Sequence, residues 1–281
     1  MASSKWMPRV VFPIAASDNM DSSQLKETIF DALQIGYRHF FLQGKEEAAI
    51  FSDVLRKADQ DLQISRSDIF ISFKYQIIPT ASSEDIRSDV MDMLSTVGIT
   101  KLDAIIFDWQ LASSKSDKGS LKSSWSNVHE EFLSMDEQMH IGTLGLELKP
   151  LHIEDPSVPL PDIILTSCHP LDPQPEIQDF CQEKGIILMA NFFDSPKADG
   201  NIHLSWEGNQ QIKEVSEGNQ RKPTQTVLAW NLKMNNSVLC PFTNNASEIS
   251  SNYDLQTYNL LSDDLEKLKS LTDPDDEEKD D

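Results

Sequence analysis

Short, uninterrupted apolar runs alternate along this chain with longer stretches in which apolar residues return every three or four positions. Arg9-Val10-Val11-Phe12-Pro13-Ile14 is the first such run and reads as a strand buried on both faces, closed by the polar turn residues Ser17 to Asn19. From Ser22 to Leu33 the apolar positions Leu25, Ile29, Phe30 and Leu33 fall on one helical face, with Ser22 or Ser23 as N-cap and Gly36 as the stop. A second short strand follows within Tyr37 to Leu42, and then a helix over about Glu46 to Ala58.

The alternation continues. Asp68 to Lys74 predicts a third strand with a lysine at its C-terminal end, Ser82 to Thr96 a capped helix, and Leu102 to Trp109 a fourth strand. Ala112 to Ser126 is rich in Ser and Lys and reads as an exposed loop before a helix over Trp125 to Met135. Strands are predicted at Met139 to Leu144, Asp162 to Ser167, Ile186 to Ala190 and Ser237 to Cys240. Helices are predicted at Pro175 to Lys184, from Pro223 to Trp230, and from Leu261, where a capped final helix opens. Asn191 to Trp206 shows no helical or strand period. Between the fifth and sixth strands only 17 residues remain, crowded with prolines, so the fifth crossover helix is predicted to be shortened or missing. Eight strand-helix alternations predict a single (β/α)₈ barrel over residues 1–271.

Several motifs resemble the aldo-keto reductase superfamily: Gly36-Tyr37-Arg38-His39, Cys168-His169-Pro170, Asp179-Phe180-Cys181 with Lys184-Gly185-Ile186, and Pro223-Thr224-Gln225 with Leu228 and Trp230. The resemblance runs from residue 7 to 271 and implies that fold, here without the family's N-terminal hairpin. It also implies an oxidoreductase site, in which a Tyr paired with Lys and Asp donates a proton and a His orients the substrate. In this chain the Asp position is Phe41, the Tyr position is Gln43 after a short deletion, the His position is Asp108, and Lys74 alone is retained. Cofactor positions have changed as well: Leu144-Gly145, Ile164-Leu165, Asn191, Phe242 and Glu248 stand where the family holds Ser-Asn, Asn-Gln, a stacking Tyr and the cations of a 2′-phosphate site. The resemblance therefore implies no intact catalytic set, no bound cofactor and no metal.

Lys74 at a strand end inside a barrel needs a counter-charge, and Asp108 is expected within about 6 Å of it. The segments Ile71-Ser72-Phe73-Lys74, Arg87-Ser88 and Leu102-Asp103 also resemble the regulatory (modifier) subunits of glutamate-cysteine ligase, inactive members of the superfamily. That likeness implies a protein-binding or regulatory role beside a catalytic subunit. The alternative is a divergent NADPH-dependent oxidoreductase.

Charge adds one further class. With 46 acidic against 24 basic residues the net charge is −22, which disfavours nucleic acid and anionic membranes and suits a basic protein client, as for an acidic escort or chaperone. Seven of the ten residues from Thr272 to Asp281 are acidic, and this stretch is expected to be a disordered tail. Cys168, Cys181 and Cys240 lie far apart within apolar runs and are expected to be buried free thiols. His169 is expected to be a packed scaffold residue rather than a ligand. The chain shows no long apolar segment and no signal-like start, which predicts a soluble cytoplasmic protein, with the nucleus also open.

Overall fold

The computed structural model describes residues 7–15, 20–110, 118–146, 155–191, 205–258 and 260–271. Eight parallel strands close into a barrel in strict chain order: β1 (Val10–Ile14), β2 (His39–Leu42), β3 (Phe70–Gln76), β4 (Ala104–Asp108), β5 (His140–Leu144), β6 (Ile163–Ser167), β7 (Ile187–Asn191) and β8 (Ser237–Leu239). Closure is made by β1 pairing with β8, Val10 opposite Val238 and Val11 opposite Leu239. Nine α-helices lie among the described residues: α1 (Ser22–Ile35), α2 (Lys45–Asp61), α3 (Ser83–Val97), α4 (Lys118–Met135), α5 (Pro175–Lys184), α6 (Gln210–Gly218), α7 (Pro223–Lys233), α8 (Ala246–Tyr253) and α9 (Ser262–Lys269).

Strand alternation divides the apolar residues into two cores. Val11, Phe41, Phe70, Ala104, Ile106, Ile163, Leu165, Met189 and Leu239 fill the barrel itself. The larger cluster, including Phe12, Phe40, Phe51, Phe107, Trp125, Phe132 and Trp230, lies between sheet and helices. Runs such as Ala104 to Phe107 are apolar at every position because each face of the sheet meets one of these cores.

The Gly-Tyr-Arg-His segment turns out to be a joint between elements. Gly36 ends α1 at φ +123°, and a Cβ there would lie 2.8 Å from the Tyr253 hydroxyl, so only glycine fits. The Tyr37 hydroxyl donates to the carbonyl of Ile249 (3.1 Å), tying β2 to α8. Arg38 donates to the carbonyls of Leu33 and Tyr37, closing the end of α1. Fully buried His39 bridges Pro8 O through Nδ1 (3.0 Å) and the Ser72 hydroxyl through Nε2 (2.8 Å). Pro8 O can only accept, so Nδ1 carries the proton and Nε2 accepts from Ser72. Burial pushes the His39 pKa down to about 4, keeping the ring neutral.

The structure departs from the sequence reading in several places. Helix α4 starts at Lys118, inside the segment read as a loop. Partly buried Leu121 leads into Trp125, Val128 and Phe132 at i+4, i+7 and i+11, a helical stripe masked by the surrounding Ser and Lys. Helices α6 and α8 were not predicted; each is short, N-capped by an Asn side chain (Asn209 and Asn245), and buries only two or three residues. Asp21, rather than Ser22 or Ser23, caps α1 in a capping box with Gln24. The final helix has Leu261 at its N-cap and no side-chain cap, because Ser262 is already in the first turn. The proposed shortening of the fifth crossover helix falls largely on residues 147–154, the hairpin question on residues 1–6, and the acidic tail on 272–281, all outside the described residues. So does most of the patternless Asn191 to Trp206 segment. Among the described residues no helix is long and apolar enough to cross a membrane.

Candidate active site at the barrel mouth

The C-terminal ends of the strands are where barrel enzymes carry their chemistry. On β3, Phe70 belongs to the barrel interior, so Lys74 and Gln76 share its inward face near the mouth. On β4, Ala104 and Ile106 place Asp108 inward in the same way. The two strands bring Lys74 Nζ to 3.7 Å from Asp108 Oδ2, with the lysine side chain 27% exposed and the carboxylate 3%. This is the counter-charge expected for Lys74.

Asp108 is further held by its neighbours. Its Oδ1 accepts from the Gln110 backbone N–H at 3.0 Å. Its carbonyl accepts from Gln76 Nε2 and from the Ile77 N–H, each at 2.9 Å. A buried carboxylate with an ammonium and a backbone donor is a settled ion pair, with each charge compensated.

The other two positions that the resemblance assigns to catalysis are Phe41 and Gln43. Phe41 is packed in the barrel interior, and Gln43 is exposed beyond the end of β2. All four tyrosines of the chain are accounted for elsewhere. Tyr75 follows Lys74 and therefore faces the helices, where its hydroxyl donates to Asp89 at 3.0 Å. Desolvation and that carboxylate raise its pKa to about 12. Tyr37 is buried against Tyr253, ring centroids 4.9 Å apart, and burial drives its phenol far above the usual range. The Tyr258 hydroxyl lies 3.4 Å from Thr226 Oγ1.

The cofactor positions are also placed. Ile164 packs on the helix side of the sheet, while Leu165 fills the barrel interior. Gly145 turns the chain after β5 with its Cα face against Gln110. Asn191 ends β7 beside Ser167 in register. Phe242 stands edge-on to Phe12, centroids 6.3 Å apart. Glu248, in the first turn of α8, pairs with Lys222 Nζ at 2.8 Å and accepts from Thr243 Oγ1 at 2.8 Å. These two donors lower its pKa, so a phosphate at this position would meet a carboxylate. At the places that the resemblance assigns to a dinucleotide, Leu165 and Phe242 are thus packed against apolar side chains and Glu248 is paired with Lys222.

Sequence reading missed two polar groups at the mouth, Gln76 and Ser167. Ser167 shares the inward face of β6 with Ile163 and Leu165, and its buried hydroxyl has no hydrogen-bond partner among the described residues. The two-residue period from Lys74 and from Leu165 points to both positions. His169 is buried, and its Nδ1 accepts from the Asp172 N–H at 3.2 Å, as a scaffold residue. Trp109, Trp125 and Trp230 are core residues, and the three cysteines are buried free thiols. Among the described residues no group of three or more His, Cys, Asp or Glu side chains could hold a metal.

No family model matches this sequence. Curated relatives do. Aldo-keto reductase family 4 member C11 of Arabidopsis thaliana is 23% identical over 262 residues, covering 87% of this chain and 80% of the relative. Aldose reductase B of Dictyostelium discoideum is 23% identical over 266 residues (85% and 81%), and an aldo-keto reductase of Mycolicibacterium smegmatis is 25% identical over 248 residues (85% and 82%). Over most of its length, then, this (β/α)₈ chain has homologues in the aldo-keto reductase superfamily, at 23–25% identity.

Proposed function

We propose that this chain is an aldo-keto reductase-like barrel that has given up hydride-transfer catalysis and works through protein contacts, as a regulatory subunit. The observation that carries this reading is the mouth itself. Lys74, which in the family raises the acidity of a phenol, faces Asp108, while Tyr75 turns to Asp89 on the helix side. With Tyr75 turned away, Lys74 has no phenol beside it among the described residues, and loss of general acid catalysis alone costs about 10²- to 10⁴-fold in rate. The likeness of Ile71 to Lys74 and of Leu102-Asp103 to the modifier subunits of glutamate-cysteine ligase names a first partner to test, the catalytic subunit of such a ligase.

A second reading is a divergent NADPH-dependent oxidoreductase. It is favoured by the relatives, most of which carry the names of reductases or dehydrogenases, among them glycerol 2-dehydrogenase (NADP(+)) of Hypocrea jecorina at 23% identity. The relatives weigh for this reading over the regulatory one; the side chains at the mouth weigh against it. Tryptophan fluorescence during NADPH titration separates the two. Absence of saturable quenching, together with a protein that co-purifies stoichiometrically, is the expected result. Micromolar NADPH binding with turnover of simple aldehydes would overturn the regulatory reading.

A further inference from the structure

On the helix side of the sheet, a cavity of about 150 Å³ opens between the turn after β3, the start of α3 and the first half of α4. Its walls include Ile77, Ile86, Trp109, Leu121 and Val128, and Ser124 lines it from the exposed side of α4. The apolar walls belong to the core between sheet and helices, so the cavity is separate from the barrel interior into which Lys74 and Asp108 point. Ile78, in the same lining, is 55% exposed, one of four large apolar residues so exposed among the described residues. The turn that presents it is fixed on both sides: the Ile77 N–H donates to Asp108 O at 2.9 Å, and the Ala81 N–H to Ile78 O at 3.0 Å. Covering that side chain would remove apolar surface from water without reordering the turn.

Size selects the kind of occupant. Small-molecule sites run from about 300 to 1,000 Å³, and this cavity falls below that range. Its volume of about 150 Å³ is the space that one benzene ring takes in a protein interior, enough for a single aromatic or leucine side chain. A partner's side chain seated in such a pocket is the usual anchor of a protein interface. Charge narrows the choice further. Exposed Glu84 and Asp85 lie in the first turn of α3, next to Ser82 and Ser83 of the lining. Ser82 donates to Asp85 Oδ2 through its hydroxyl (2.7 Å) and its N–H (3.2 Å), which lowers the pKa of that carboxyl and keeps it ionised. Neither acid has a basic side chain within ion-pair distance among the described residues. By contrast Arg87, Lys45 and Lys122 are each matched, to Glu131, Asp89 and Asp155. The first turn of α3 thus leaves a negative rim, which suits a cation beside the apolar anchor.

We propose that this cavity receives a phenylalanine or leucine side chain of a partner protein, from a segment whose flanking Lys or Arg residues lie against Glu84 and Asp85 and whose backbone covers Ile78. The inference rests on the reading of this chain as a subunit that works through protein contacts, and it gives that reading a surface. The apolar anchor supplies most of the binding energy, and the acidic rim sets which segments are accepted and how fast they arrive.

Fluorescence anisotropy of labelled peptides with the full chain tests this. One peptide carries a phenylalanine between two pairs of lysines, a second has alanine at the centre, and a third keeps the phenylalanine but replaces the lysines by glutamates. Saturable binding is expected for the first, binding at least about tenfold weaker for the second, and none for the third. Ser124→Phe, an exposed change that fills the opening, should abolish the preference for phenylalanine over alanine. Glu84→Lys should weaken binding of the first peptide and reduce its dependence on salt. Circular dichroism checks that the variants fold; if Ser124→Phe does not, Asn127→Phe, from the same exposed wall, decides instead. No saturable binding of the first peptide, equal binding of the phenylalanine and alanine peptides, or a preference unchanged in the filled variant would overturn the assignment. Titrating the same preparation with NADPH keeps the two ideas apart, since cofactor turnover bears on the regulatory reading and the peptide series on the cavity.

Discussion

Replacing Lys74 by Met leaves the Asp108 carboxylate buried with, among the described residues, a single hydrogen-bond donor, the Gln110 N–H at 3.0 Å. At 3.7 Å and an effective dielectric of about 20, the Coulomb attraction being removed is roughly 4 kcal/mol before desolvation is counted. Breaking one side of a buried pair costs about 3 to 5 kcal/mol, and the partial exposure of Lys74 places this site at or below the low end, at about 2 to 3. Asp108→Leu should cost less, about 1 to 2 kcal/mol, because the freed ammonium can extend toward water from the mouth. The double variant Lys74→Met with Asp108→Leu carries no stranded charge and should lie about 1 to 2 kcal/mol above the sum of the singles. Urea denaturation of the four proteins, followed by tryptophan fluorescence, closes the cycle. Single effects that add to within about 0.5 kcal/mol would show that the two groups do not act as a pair and would refute the account of the mouth.

Three further outcomes follow from the packing. Gly36→Ala meets both a left-handed backbone and the Tyr253 hydroxyl, and should destabilise by about 2 to 4 kcal/mol, whereas Gly185→Ala, at φ +71° with open space around it, should cost only about 1; equal losses in urea melts would refute the steric argument. His39 is neutral in the folded chain with a pKa of about 4 against 6.5 unfolded, so its stabilising contribution is complete above pH 6.5 and falls away as pH drops toward 4, by about 3 kcal/mol; the slope of stability against pH over that window should flatten in His39→Gln. Burial pushes the thiols of Cys168 and Cys240 up to about 12 and that of Cys181 to about 11, so the native chain should release almost no thionitrobenzoate from Ellman's reagent at pH 8, and three equivalents once unfolded.

What the sequence made legible follows from which forces leave a local trace. Strands buried on two faces write continuous apolar runs, and Val10 to Ile14 or Ala104 to Phe107 can be read without knowing their neighbours. Helices α6 and α8 bury so few side chains that their apolar period is lost against polar neighbours, and only the capping Asn209 and Asn245 mark them. The same logic hid the first two turns of α4, where Leu121 alone faces the core before Trp125.

At the mouth the sequence showed substitutions, but what they mean depends on pairing across strands. Asp108 could be read as a lost histidine; that it also neutralises the retained Lys74 follows only from β3 and β4 lying side by side with both residues inward. On the regulatory reading proposed above, an ammonium without a phenol beside it would be costly at the rim, and a carboxylate on the next strand removes that cost. The joint at Gly36 to His39 carries no chemistry of the mouth, and every side chain in it is committed to holding α1, β1, β2, β3 or α8 together. Its retention is therefore accounted for by the fold alone, and a barrel could keep that joint intact while its catalytic rim changed.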